Sequence, residues 1–394
     1  MTVLFMFTYM VSYLTRINYG AVIAEIEVAE NLSKSLLSMA VTGSFITYGA
    51  GQIISGICGD RFSPKKLVSL GLTVTTVMNL LIPLMKDPYL YAGIWCINGF
   101  AQAFMWPPLV RMLSANLNEE DYKSSTEKVI WGSSFGTIGV YLLAPVFIGT
   151  VGWRALFFFC AASGAVMFFF WNRFASDGLA GPSSSKKVAA GEKISFKVFL
   201  SPLILCVLMA IMCQGMLRDG VTTWMPSNIS ETYDLSSSIS ILTGVLLPIF
   251  SLVFNRAAAV LYKRFFKNPL VCAGVIFFVG VISSVVLIFF SGRFAAVSVI
   301  FSALLTGCMH GVNLILVCML PAYFKKHGNV STAAGVLNSF TYVGSAVSTY
   351  GIALLSESLG WSFTLMTWVL IAAVGSALCF ACSKKWSAEY PESE

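Results

Sequence analysis

Charge is what this chain of 394 residues has least of. Asp, Glu, Lys and Arg make up 11% of it, less than half of the roughly 25% carried by an ordinary soluble domain. Histidine is scarcer still: His310 and His327 are the only two. With so few acid–base groups, no nucleophile elbow and no phosphate-cradling GxxxxGK[ST], the chain shows no catalytic constellation, and an enzyme is not expected. Zinc spacing is also lacking. The ten cysteines lie in apolar runs, and Cys379 and Cys382, three apart, sit inside the last of these. They read as small core hydrophobes, so neither a metal site nor a disulfide framework is implied, and no cofactor is expected. Carboxylates are missing from the apolar runs as well: of 18, only Asp219 lies well inside one.

What fills the chain is apolar surface. Hydrophobic residues make up 57% and the mean hydropathy is +0.80. Twelve runs stand out, at 2–26, 36–58, 66–85, 89–114, 128–150, 154–174, 197–226, 238–262, 269–291, 294–322, 330–355 and 361–382. Each is about 20 residues long, the length at which a helix spans the hydrocarbon core. A barrel would show short alternating segments instead. The expected fold class is therefore all-α and polytopic, with twelve transmembrane helices. Nineteen Lys and Arg fall in one set of loops and tails and four in the other, which puts both termini in the cytoplasm of a multi-pass protein of the cell membrane. That topology accounts for the net charge of +7, so nucleic acid is not an expected partner. The first run begins at Met1, and no basic n-region or A-x-A site marks a cleavable signal.

The chain divides in two. Residues 175–196, ASDGLAGPSSSKKVAAGEKISF, are the longest polar stretch and read as a cytoplasmic linker. The expected organisation is a six-helix bundle at 1–174, the linker, a second bundle at 197–383 and a cytoplasmic tail at 384–394. The halves resemble each other. Arg16 and Arg218 are 202 residues apart, Arg61 and Arg264 are 203 apart, SFGTIG at 134 and SFTYVG at 339 are 205 apart, and GWRALFF at 152 and GWSFTLM at 360 are 208 apart. Near-constant offsets argue for two parallel six-helix repeats, the plan of an alternating-access carrier with its substrate near mid-bilayer.

An arginine inside a span costs about 2.5–3.5 kcal/mol on insertion scales, so Arg16, in YLTRINYG, and Arg218 need a reason. Two guanidiniums facing a shared cavity, with little acid to neutralise them, make an anion site, because the planar fork grips carboxylate or phosphate bidentately. Tyr9, Tyr13 and Arg16 fall at i, i+4, i+7 and share one helix face. Tyr48 and Gln52 do so on the second run, and Gln214, Arg218 and Thr222 on the seventh. Each has a plainer reading. Tyr9 can be an interfacial tyrosine, Gln52 an interhelical donor, Arg16 a partner of Glu25. Arg218 can pair with Asp219, although neighbours on a helix point about 100° apart.

These residues also carry a family resemblance. YGAGQIISGICGDRFSPKKL at 48–67 resembles the loop 2–3 signature of the major facilitator superfamily. The Tyr9–Tyr19 segment, WPPLVR at 106–111 and LRDGVTTWMPS at 217–227 resemble the organophosphate:phosphate antiporter family more narrowly, and STAAGVLNSFTYVGSAV at 331–347 extends the likeness over nearly the whole chain. The resemblance implies the major facilitator fold, with Arg16 and Arg218 as a phosphate-gripping pair, Tyr9, Tyr13 and Tyr48 as cavity tyrosines, and Trp106 and Trp131 as cavity tryptophans. Asp60 and Arg61 would latch the inner face; a plain turn is the alternative. Three positions depart from the glycerol-3-phosphate transporters of that family: Ile17 stands where they have a lysine, and Gln52 and Phe135 where they have a cavity lysine and histidine.

The expected function is exchange of an organic phosphate ester for inorganic phosphate by a rocker switch, carried out by a monomer with small anions and the lipid bilayer as its only partners. Rivals are a proton-coupled organic-anion symporter with Asp219 as its proton site, and a transporter-like membrane sensor of a phosphorylated ligand.

Overall fold

A helix start is written into several loops as a capping residue followed by proline. Ser63–Pro64, Asp87–Pro88, Ser201–Pro202 and Asn268–Pro269 each open a helix, with the cap side chain accepting from a first-turn N–H and proline at a position that needs no donor. The computed structural model describes residues 1–117, 119–175, 200–320, 323 and 330–390. Its helices are α1 (Thr2–Glu30), α2 (Lys34–Arg61), α3 (Pro64–Leu81), α4 (Pro88–Gln102), α5 (Trp106–Asn116), α6 (Glu119–Thr150), α7 (Trp153–Phe174), α8 (Pro202–Tyr233), α9 (Ser237–Thr243), α10 (Leu246–Arg264), α11 (Pro269–Phe290), α12 (Ala295–Asn313) and α13 (Val330–Glu389). No strand occurs among the described residues. A π-helical turn, Leu314–Met319, continues α12.

Breaks follow proline. Pro107 and Pro108 cannot donate, and their rings exclude the carbonyls four residues back. The fourth run accordingly splits into α4 and α5 around Ala103–Met105, where the backbone closes tighter i→i−3 bonds. Pro248 does the same before α10, so the eighth run splits at Gly244–Val245. The α13 rod is two helices merged across a corner at Gly360, whose φ of 77° suits glycine alone.

The chain forms two compact units, one of Met1–Ser184 with Leu235–Val245, the other of Ser185–Asp234 with Leu246–Glu394. The short α9 groups with the first unit because it packs on α6, where Gly244 abuts the Tyr141 ring. Within each unit the repeat is visible in the backbone. α1 ends on left-handed Asn31 and α8 on left-handed Asp234. Gly152 and Gly360, the glycines of the two GW corners, both have positive φ. In the first unit α1 packs closely on α6, where Gly136 lies against the Met10 carbonyl with no room for a Cβ. In the second α8 packs on α13, where Gly344 lies against the Met212 carbonyl in the same way.

Eight helical stretches among the described residues are long and apolar enough to cross a membrane, the last of them, Gly335–Glu389, long enough for two. Outward positions such as Phe169, Phe289 and Leu370 are large, apolar and exposed, which suits hydrocarbon rather than water. α1, α2 and the interrupted α4–α5 pair are not among the eight, and they carry much of the polar cluster of the first unit.

Candidate functional site

In the first unit the expected face of α1 assembles. Tyr9 and Tyr13 meet edge to face at 5.1 Å, and Tyr9 lies 4.9 Å from Trp106. Arg16 places its guanidinium carbon 3.9 Å from the centroid of Tyr48 and 5.6 Å from that of Tyr13. α1 thus supplies the arginine and Tyr13, α2 supplies Tyr48 against the same cation, and Tyr9 with Trp106 of α5 extends the aromatic face away from it. Trp106 gets there because the proline break starts α5 at that residue. For a half-buried arginine a cation–π contact of this kind contributes about 1 kcal/mol. Gln52, one turn beyond Tyr48, is half-buried, and its amide nitrogen is buried with no hydrogen-bond acceptor among the described residues. Trp131 and Phe135, one turn apart on α6, are 44% and 50% exposed. The Asp60 and Arg61 side chains, and with them the expected latch, lie outside the described residues.

The opposite face of α1 carries a buried amide network. Gln102 accepts from the Ser12 hydroxyl at 2.6 Å and donates to the Thr15 and Thr75 hydroxyls at 2.9 and 2.8 Å. Thr75 donates to Asn98. Asn79 and Asn98 both donate to the Thr15 carbonyl, at 2.9 and 3.1 Å, and Asn18 donates to Asn79 at 2.7 Å. All seven side chains are buried. They tie α1, α3 and α4 together at the turn that carries Arg16.

The second unit is built differently. Gln214 is fully buried and donates to the Met309 carbonyl at 3.1 Å, so this amide joins α8 to α12. Thr222 turns its hydroxyl back to the Arg218 carbonyl at 2.6 Å. Arg218 does not extend its fork to open space. Its Nε and Nη2 donate to the two carboxylate oxygens of Asp219 at 2.8 and 2.7 Å, and Nη1 donates to Asn313 at 3.3 Å. The angular separation of neighbours on a helix is overcome by the length of the arginine side chain, which folds back across it. The expectation of an arginine without acid to neutralise it therefore fails for Arg218. Ser345 on α13 lies 2.6 Å from Asp219 Oδ2 as a donor, and the Tyr342 ring is 5.7 Å from the guanidinium carbon.

A family profile of the Major Facilitator Superfamily matches residues 5–349. The chain belongs to the major facilitator superfamily. Among curated relatives it is 25% identical to the membrane sensor protein UhpC of Escherichia coli strain K12 over 94% of this chain and 88% of that one. It is 25% identical to the glycerol-3-phosphate transporter of Bacillus subtilis strain 168 over 95% and 90%. A probable hexose phosphate transport protein of Chlamydia trachomatis is 28% identical over 38% of this chain and 33% of that one. In fold, this major facilitator chain is similar to a bacterial homolog of the human lysosomal transporter Spinster, with a TM-score of 0.85 at 11% identity over 100% and 98% of the two chains. It also resembles a D-xylose–proton symporter, with a TM-score of 0.77 at 12% identity over 97% and 96%. These place the chain among membrane transporters rather than enzymes.

Sequence reasoning missed the amide network and the groups around Asp219. The signal was present in part: Ser12, Thr15 and Asn18 recur every three residues on α1, and Asn79, Asn98 and Gln102 are lone amides in apolar runs. Buried polar groups demand partners, so these residues had to meet something. Which helices they join is set by packing and is not encoded in spacing along one helix.

Proposed function

We propose that this protein is a secondary active transporter that exchanges an organic phosphate ester for inorganic phosphate by rocker-switch alternating access, in the cell membrane with both termini cytoplasmic. The observation that carries this reading is the Arg16 cluster. Stacking on Tyr48 engages the face of the guanidinium, while its N–H groups lie in the plane, where a phosphate accepts them bidentately. Tyr13 lies against the same cation, and Tyr9 and Trp106 continue that aromatic face with amphipathic rings suited to the organic part of an ester. A relative that covers nearly the whole chain, a glycerol-3-phosphate transporter, supports a phosphorylated ligand. Both substrates share the phosphate, so either one can satisfy the arginines, and a downhill phosphate gradient would drive uptake of the other.

The deciding measurement is counterflow. Labelled phosphate inside proteoliposomes should leave when phosphate or sn-glycerol 3-phosphate is present outside, and stay when neither is. Equal efflux into phosphate-free buffer would overturn exchange. The UhpC relationship favours one second reading, a membrane sensor, here of a phosphorylated ligand. Saturable binding of sn-glycerol 3-phosphate without any flux would establish it in place of transport.

A further inference from the structure

The bidentate edge of Arg218 is filled by a residue of its own helix. Nε and Nη2, the pair of donors that would take a phosphate, are both on Asp219 at 2.8 and 2.7 Å. The carboxylate is held from across the helix interface by Ser345 at 2.6 Å. Arg218 and Asp219 expose only 10% and 18% of their side chains, so the pair is worth more than a surface bridge and its charges cannot be left uncompensated. An anion arriving here meets a neutral pair and a carboxylate of its own sign. It gains the fork only if the carboxylate lets go.

We infer that Asp219 is the built-in stand-in for the substrate anion, and that anion binding at Arg218 is coupled to uptake of one proton by Asp219, so that anion and proton move together. This deepens the proposed phosphate exchange and rests on it. Protonation removes the charge that binds Asp219 to Arg218 and leaves a carboxyl that hydrogen-bonds a neutral partner. The anion then takes Nε and Nη2 and restores neutrality. By linkage, the anion raises the proton affinity of Asp219 by the same factor by which the proton raises the affinity for the anion. Among the described residues, His310 on α12 lies within electrostatic range of both members and Cys318 on the π turn within that of Arg218, and the Tyr342 ring on α13 lies 5.7 Å from the guanidinium carbon.

The test is phosphate binding to the purified full-length protein from pH 5.5 to 8, in wild type and Asp219→Asn. Phosphate titrates in this range itself, but identically for both proteins, so the difference between them isolates Asp219. Wild type should lose about tenfold more affinity per pH unit than the variant above the midpoint, as one coupled proton requires. Parallel pH profiles would overturn the inference. Ser345→Ala keeps both charges and removes a donor to the carboxylate, which raises its proton affinity. The midpoint should move to higher pH without loss of binding, and an unmoved midpoint counts against Asp219 as the proton site. Infrared difference spectra supply a readout that needs no phosphate: a protonated-carboxyl band should appear on acidification in wild type and be absent in Asp219→Asn. If neither protein binds phosphate, the exchange reading falls and takes the phosphate coupling with it, while the infrared band still decides whether Asp219 titrates.

Discussion

Arg16 and Arg218 stand 202 residues apart, at matching places in two repeats, yet they are held in different ways. Arg16 lies on the face of Tyr48 at 3.9 Å. Arg218 is gripped along its edge by Asp219 at 2.7 and 2.8 Å. The residue that follows Arg16 is Ile17, so α1 has no counterpart of Asp219. A π face attracts a guanidinium without consuming its donors, whereas a carboxylate consumes the two donors a ligand would want. The two repeats thus hold arginines at matching positions while the contacts described around them differ. The supporting shells differ in the same sense. In the first unit the turn below the arginine is clamped by neutral amides. In the second, the arginine itself is clamped, by Asp219 and Asn313.

The largest expected effect is on stability, and it should appear in one unit only. Asp219→Ala leaves Arg218 buried without its counter-ion, which costs about 3–5 kcal/mol for a buried pair. A thermal melt in detergent should show a clear drop, whereas Ile17→Ala, at the matching place on α1, should show a smaller one. Equal drops would mean that the pair is structurally no more important than ordinary packing and would erase the contrast between the units.

The next effect is functional and should appear in both. Arg16→Lys and Arg218→Lys keep the charge and lose the planar fork. Losing a charge-assisted bond of about 1.5–3 kcal/mol predicts a fall of roughly tenfold to a hundredfold in counterflow for each. Arg16→Lys also forfeits stacking on Tyr48, so it should be the worse of the two. Near wild-type exchange by either variant would remove that arginine from the anion site.

How much of this was legible in the chain follows from what each feature depends on. The helices, their orientation bias and the GW corners are local matters of run length, charge and glycine, and the sequence shows them directly. The Tyr9–Tyr13–Arg16 face follows from helical period. That Trp106 joins this face depends on the proline break that opens α5, a geometry that WPP announces and does not specify. The Arg218–Asp219 pair depends on side-chain reach, which the sequence does not show, and not on backbone direction, which it does. The amide network lay beyond reading altogether, since it depends on which faces of α1, α3 and α4 touch.

The third prediction addresses that network. Gln102→Leu breaks three bonds at once, to Ser12, Thr15 and Thr75, and strands the Ser12 hydroxyl in the core, while Thr15 keeps the Val11 carbonyl and Thr75 keeps Asn98. Each buried group left unsatisfied costs about 1–3 kcal/mol. Gln214→Leu in the second unit breaks one bond, to the Met309 carbonyl, and should cost less. The ratio of the two melting shifts measures how far the units differ in their shells. A larger shift for Gln214→Leu would reverse the comparison.

The smallest expected effect concerns Gln52, where the first unit can be given more of the charge its site relies on. Its amide nitrogen is buried and lacks an acceptor among the described residues, one turn past the tyrosine that carries Arg16. A side chain held only for packing between helices would be expected to satisfy that nitrogen, because an orphaned donor costs free energy. Lysine carries its ammonium one bond further along the same path, beyond the buried slot. In a partly hydrated cavity a second cation near a phosphate gains about 1 kcal/mol, so Gln52→Lys should tighten phosphate binding roughly fivefold with little change in melting temperature. Burial of the ammonium gives the opposite signature, because an uncompensated charge is costly in an apolar slot: weaker binding together with a lowered melting temperature. Measuring both quantities on the same variant therefore separates a side chain that faces the anion from one that packs between helices. The second outcome would confine the anion's contacts on α2 to Tyr48.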